Sequence, residues 1–147
     1  MVKKFDMTIH ERELEVIEEF SDLDEWMDKY NYLIEMGRDI PALDTTCKTD
    51  QYLIQGCQSR VWLQAEFQSG KINYSADSDA IITKGIAALL IRVLNESTPD
   101  EILNADLEFI DTIGLKEHLS PTRSNGLVSM LKQMRYYALA YKTKSSN

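Results

Sequence analysis

The sequence predicts an α+β fold, a small antiparallel β-sheet of about three strands packed against helices, and three observations carry that expectation. Apolar residues repeat at helical spacing near both ends of the chain; in the middle the period falls to two, over residues 61–67 and 72–76; and the stretch from Ala80 to Leu94 that follows is apolar on nearly every side. The order helix, helix, strands, helices, with no internal repeat, low-complexity tract or linker, reads as a single domain over residues 1–147.

Each element has its own signal. Thr8 followed three residues later by Glu11 is a capping box, which satisfies backbone donors that a helix start otherwise leaves unpaired, and Leu14, Ile17 and Phe20 then share a face. A second helix is expected from about Leu23, where Leu23, Trp26, Met27, Tyr30, Leu33 and Ile34 recur at helical spacing until Gly37 and Pro41 end it. Residues 40–50 have no period and carry a proline, two aspartates and three threonines, the composition of a surface loop; Cys47 lies there. Tyr52 to Gln55 is rich in strand-forming residues and is expected as a third strand, because two strands alone are rarely stable. Val61, Leu63, Ala65 and Phe67 alternate with polar neighbours, as do Ile72, Tyr74 and Ala76, and Ser69-Gly70 joins the two runs as a hairpin. Asp79 is the expected cap of the apolar helix from Ala80 to Leu94, which should form the spine of the core. Thr98, Pro99 and Glu101 combine a capping box with a proline at the first helical position, and Ser120-Pro121 opens a long final helix whose stripe is Leu127, Leu131, Met134, Ala138 and Tyr141.

Composition narrows the function. With 147 residues and 44% hydrophobic content, folding should bury roughly 68–70% of the unfolded chain's surface, enough for a core without disulfides or metals. Lysine and arginine number 16 against 24 aspartates and glutamates, and the formal charge of −8 repels phosphate backbones and anionic lipids, so neither nucleic acid nor a membrane is an expected partner. The longest uncharged apolar run, Gly85 to Ile91, is flanked by Lys84 and Arg92 and falls far short of the ~20 residues of a membrane-spanning helix. The opening MVKKFDMTIH has lysines but no apolar stretch behind them, so no secretory signal is read, a cytoplasmic address is expected, and the two cysteines should be thiols. His10, His118, Cys47 and Cys57 are spaced unlike any common zinc site, and neither metal nor cofactor is expected on this chain. The acidic runs 11–19 and 22–28 read as solvated helix faces, or as a field that steers a basic partner.

Cys57 has the setting for chemistry. Gly56 before it and Gln58 and Ser59 after it break two strand patterns at what reads as a tight connection, a place where a thiol can point outward. The residues alone leave a second reading open, since unpaired cysteines are often small buried hydrophobes. Trp62 faces opposite to Val61 and Leu63 and belongs either beneath the Cys57 connection or on a docking surface.

Three separated strings, GCQSRVW at 56–62, SADSDAIITKG at 75–85 and GLKEHLSPTRSNGL at 114–127, resemble the SufE family, and WMDKYNYLIEMGRDIP at 26–41 is similar to that family's second helix. The resemblance implies the compact α+β fold also found in IscU-type scaffolds, and a sulfur acceptor that works beside a cysteine desulfurase of the SufS type. On that reading Cys57 occupies the acceptor position, with Gly56 and Gln58 as supporting neighbours. The desulfurase carries the pyridoxal phosphate, and sulfur passes on to a SufBCD-type iron–sulfur scaffold. Whether such a persulfide carrier counts as an enzyme, a sulfurtransferase, is left open by the sequence. Arg123 follows Pro121 at a helix start and reads two ways: as a charge that favours a nearby thiolate, or, with Asn125, as a hydrogen-bonding brace of the preceding loop. Cys47 lies outside the matching strings and reads as an incidental thiol. The alternatives are a thiol-dependent peroxidase or reductase, and a non-catalytic activator that binds a desulfurase by contact alone.

Overall fold

The computed structural model describes residues 7–40, 43, 45–54 and 59–145. Helix α1, Ile9–Ser21, begins with the expected capping box, in which the Glu11 N–H donates to Thr8 Oγ1 and the Thr8 N–H to Glu11 Oε1, both at 3.1 Å. Helix α2, Trp26–Asp39, starts later than expected and runs through Gly37 instead of ending there. The reason is packing. A Cβ at Gly37 would lie 3.0 Å from the Gly85 nitrogen, and one at Gly85 only 2.3 Å from the Leu33 carbonyl oxygen, so the glycines let α2 and the helix that carries Gly85 touch backbone to backbone.

Strands β1, Val61–Gln68, and β2, Lys71–Ser78, pair antiparallel from Gln68↔Lys71 to Val61↔Ser78. Ser69 and Gly70 have φ of 56° and 80°, both positive, the signature of the two-residue turn whose twist suits a hairpin. Among the described residues the sheet has these two strands, and the expected third strand at 52–55 is reduced to one bridge, Leu53↔Trp62. There the Ile54 N–H donates to the Val61 carbonyl at 2.8 Å and the Leu63 N–H to the Tyr52 carbonyl at 2.9 Å. Farther along the same edge side chains replace a strand: Tyr137 donates its hydroxyl to the Leu63 carbonyl at 3.1 Å and Tyr141 to the Ala65 carbonyl at 3.0 Å. The opposite edge is covered likewise. The Ile72 N–H donates to Ser97, the Glu96 N–H to Ile72, and the Tyr74 N–H to the Asn95 side chain. The buried Arg12 guanidinium reaches from α1 to the Val93 and Asn95 carbonyls and holds that covering segment in place.

Helix α3, Ile81–Leu94, is the expected spine, with ten buried residues. Asp79 does not cap it. Ala80 holds the cap position without a side-chain bond, because the Asp79 carboxylate accepts the Arg60 N–H at 3.0 Å instead. Helix α4, Pro99–Asn104, has its capping box, and two single turns without a sequence period, α5 at Phe109–Thr112 and α6 at Leu115–His118, lead to the 25-residue α7, Pro121–Ser145. Phe20, Leu33, Ile72, Leu90, Phe109 and Met130 close the core between α3, the sheet and α7. No helix among the described residues is long and apolar enough to cross a membrane.

The glycine contact generates a test. Gly85→Ala would gain up to ~1 kcal/mol from helix propensity alone, but its methyl meets the Leu33 backbone, and overpacking of that kind costs about 1–3 kcal/mol. Urea unfolding should show net destabilisation; a variant more stable than the parent would contradict this packing.

Candidate functional site

Gly56, Cys57 and Gln58 lie outside the described residues, together with Gln55, and the Cys47 side chain does too. The structure describes the root from which that segment departs. Ile54 on one side is buried and bonded to Val61; Arg60 on the other is tied three ways, its N–H to Asp79 Oδ1 and its carbonyl to the Asp79 N–H at 3.2 Å and the Ser78 hydroxyl at 2.8 Å. Both stems therefore end on the same corner of the sheet, beside the start of α3.

A buried carboxylate stands at that corner. Asp77 faces Trp62 across the hairpin and is 8% exposed. Its Oδ2 lies 2.6 Å from Lys48 Nζ and its Oδ1 3.4 Å from Lys84 Nζ, while Oδ1 also accepts the Ser78 N–H at 2.8 Å. Burial raises the carboxyl's affinity for a proton, but the hydrogen bonds from Lys48 and Ser78 and the charges of Lys84 and Lys48 outweigh it, so the pKa lies below the ordinary aspartate value. Lys48 Nζ also stands 5.9 Å from the centre of the half-buried Trp62 ring. Lys48 directly follows the 3-10 turn Thr45–Cys47 and Lys84 lies in the first turn of α3, so one carboxylate joins three parts of the chain.

Arg123 is exposed in the first turn of α7, and its N–H donates to Ser120 Oγ at 3.3 Å; next to it Ser124 donates its hydroxyl to the Lys116 carbonyl. These bonds engage the backbone and the neighbouring serines in bracing the helix start. His118 ends α6 and stacks on Trp26, ring centres 3.9 Å apart and planes 19° from parallel, with the Tyr30 hydroxyl donating to its carbonyl. His10 lines a cavity of about 490 Å³ between α1 and the α4–α5 segment, and a second cavity of about 440 Å³ opens between α2 and α3. Neither is lined by Ile54, Arg60 or Trp62. Sequence reading missed Asp77, Lys48 and Lys84. Counting back from the Ser69-Gly70 turn does pair Asp77 with Trp62, so the carboxylate's place was available; nothing in the sequence brings Lys48 to it.

A small helix-covered sheet, one corner of which anchors Ile54 on one side and Arg60 on the other, defines a class of small α+β protein. The family description "SufE: Fe-S metabolism associated domain" matches residues 14–138. A SufE-like protein 1 of Arabidopsis thaliana, named as chloroplastic/mitochondrial, is 39% identical over 131 residues, covering 88% of this chain and 35% of its own length. An uncharacterised SufE-like protein of Rhizobium meliloti is 35% identical over 126 residues, covering 82% of this chain and 90% of its own. The solution structure of a hypothetical protein from Thermus thermophilus shares the fold, with a TM-score of 0.75 at 22% identity over 90% of this chain and 96% of that one. This chain belongs to the SufE family.

The lowered pKa of Asp77 sets a sign. Its ionic bonds contribute stability above the unfolded aspartate pKa, and that contribution is lost as pH falls through the lower folded value. Asp77→Asn should therefore be less stable at pH 7, by about 1 kcal/mol because both lysines are partly solvated. Denaturation midpoints of the two proteins should converge as the pH falls below ~4; a gap of constant size from pH 7 to pH 3 would rule the ionic role out.

Proposed function

We propose that this chain is a sulfur acceptor and carrier: Cys57 takes sulfane sulfur from a cysteine desulfurase of the SufS type, relieves and so stimulates that enzyme, and delivers the sulfur for iron–sulfur cluster assembly to a scaffold of the SufBCD type. Membership in a family described by iron–sulfur metabolism supports the reading, and so does the join of the Gly56-Cys57-Gln58 string to an anchored root. The step needs no cofactor on this chain. The Cys57 thiolate attacks the terminal sulfur of the donor's cysteine persulfide, one S–S bond forms as another breaks, and the electron pair leaves with the donor thiolate. Atoms and charge balance, and there is no net oxidation.

Three features of the chain suit that task. An anchored root lets a reactive segment be offered to a second protein while the sheet stays fixed. The formal charge of −8 favours association with a basic docking face, so binding should weaken as salt screens it. Gly56 leaves the backbone beside the thiol unhindered, Gln58 offers an amide, and Arg123 at the positive end of α7 is a supporting cation for an anionic sulfur. A reducing compartment such as the cytoplasm would keep the thiol ready.

Incubating the protein with a SufS-type desulfurase, pyridoxal phosphate and cysteine should add ~32 Da, one sulfur, to the intact mass, and the adduct should vanish in Cys57→Ser. Desulfurase stimulation that survives in Cys57→Ser would instead make the chain an activator by contact. Peroxide turnover through a sulfenic acid would make it a peroxidase.

A further inference from the structure

The cavity of about 490 Å³ between α1 and the α4–α5 segment has the volume of a small-molecule site and an uneven lining. Ile9 and Phe109 are buried and Ile17 half-buried, which makes an apolar wall, while Leu14 is 51% exposed and forms an apolar lip. His10, Asp106 and Glu108 are exposed at the rim. One carboxylate does not suit a wall of that kind. Glu13 lines the cavity yet is only 8% exposed, and among the described residues the one hydrogen bond to its carboxylate is long, from the Phe109 N–H to Oε1 at 3.4 Å. Its Oε2 has no partner among them.

A carboxylate taken out of water ordinarily gains a cation or several N–H donors, because an uncompensated buried charge is costly. Glu13 has neither. Arg12, its neighbour in sequence, turns away to the Val93 and Asn95 carbonyls, and Arg135 donates to the Ala105 carbonyl. Glu101, also in the lining, is taken up in capping Thr98. Burial accordingly raises the proton affinity of Glu13; the Phe109 bond and the charge of His10 offset the rise only in part, and the like charges of Glu108 and Asp106 add to it. We propose that this cavity binds an aliphatic cation, an ammonium or guanidinium on a methylene stem, with the charge on Glu13 and the stem along Ile9, Ile17 and Phe109. Such a ligand brings the donors that Oε2 lacks, and the rim acids and the formal charge of −8 draw it in. A metal ion suits the site less, because no group of three or more His, Cys, Asp or Glu among the described residues could hold one. The site stands apart from the sulfur chemistry of Cys57 and does not depend on it.

The test separates a built site from diffuse attraction to an acidic protein. The whole chain, labelled with nitrogen-15, is titrated at about pH 7 with n-butylamine and with n-butanol, a neutral chain of the same length. The amine should give saturable shifts of the Phe109, Ala105 and Thr112 amides with a Kd of ~1 mM or tighter, and the alcohol none. N-acetyl-lysine amide carries the same ammonium as a side chain: tighter binding than n-butylamine assigns the cation to a protein partner, weaker binding to a free amine. Glu13→Gln keeps an acceptor for the Phe109 N–H, and its thermal midpoint without ligand should equal or exceed the parent's, because a buried charge is gone. Its affinity for n-butylamine should nevertheless fall by roughly tenfold or more, the loss of a charge-assisted bond. Glu18→Gln, exposed on α1 outside the cavity, removes the same net charge and should leave that affinity unchanged. Shifts that do not saturate, n-butanol that binds as well as the amine, or equal losses in Glu13→Gln and Glu18→Gln would overturn the proposal.

Discussion

A two-stranded sheet is nearly all edge, and the rest of this structure follows from how its edges are closed. Unpaired N–H and C=O groups along a strand are costly when buried and invite other chains when exposed. Here one edge is covered by Asn95, Glu96 and Ser97, held in place by the Arg12 guanidinium. The other is divided: its far half is closed by the hydroxyls of Tyr137 and Tyr141 from α7, and its near half by the short arm at Tyr52 and Ile54. The division matters, because the arm that closes the near half is also the stem that leads to Cys57. The closure of the sheet and the anchoring of the stem at Ile54 are thus one piece of architecture.

The same economy explains why the fold needs so little sheet. Helix α3 buries ten residues and serves as a core on its own, packed against α2 through backbone contact at Gly37 and Gly85 and against β2 and α7 elsewhere. With that helix in place, the hairpin has only to supply one apolar face, which Val61, Leu63, Ile72, Tyr74 and Ala76 do. The opposite face is then free for polar work, and Asp77 and Trp62 stand side by side on it.

Much of this was legible in the sequence, and the parts that were not share a cause. The capping boxes at Thr8 and Thr98, the Ser69-Gly70 turn and the apolar spine are local signals, and each appears where the residues put it. The third strand failed because edge closure by tyrosine hydroxyls arrives from more than 70 positions away, beyond the reach of any local pattern. Gly37 read as a helix end because a glycine that stops a helix and one that admits a second backbone look alike until the neighbour, Gly85, is known. Asp79 read as a cap because its competing partner, the Arg60 N–H, lies 19 positions back. At the site, family resemblance pointed to Cys57 and periodicity to Trp62, whereas the lysines on Asp77 come together only in three dimensions.

The most direct measurement is a single turnover. A desulfurase loaded with persulfide and freed of cysteine is mixed with this protein, quenched at intervals, and the sulfane sulfur counted on each partner. Sulfur should leave the donor at the rate it arrives here, one for one, with the whole of it on Cys57. Donor sulfur that is lost to small thiols while none arrives, or that collects on Cys47 with Cys57 bare, would contradict the carrier.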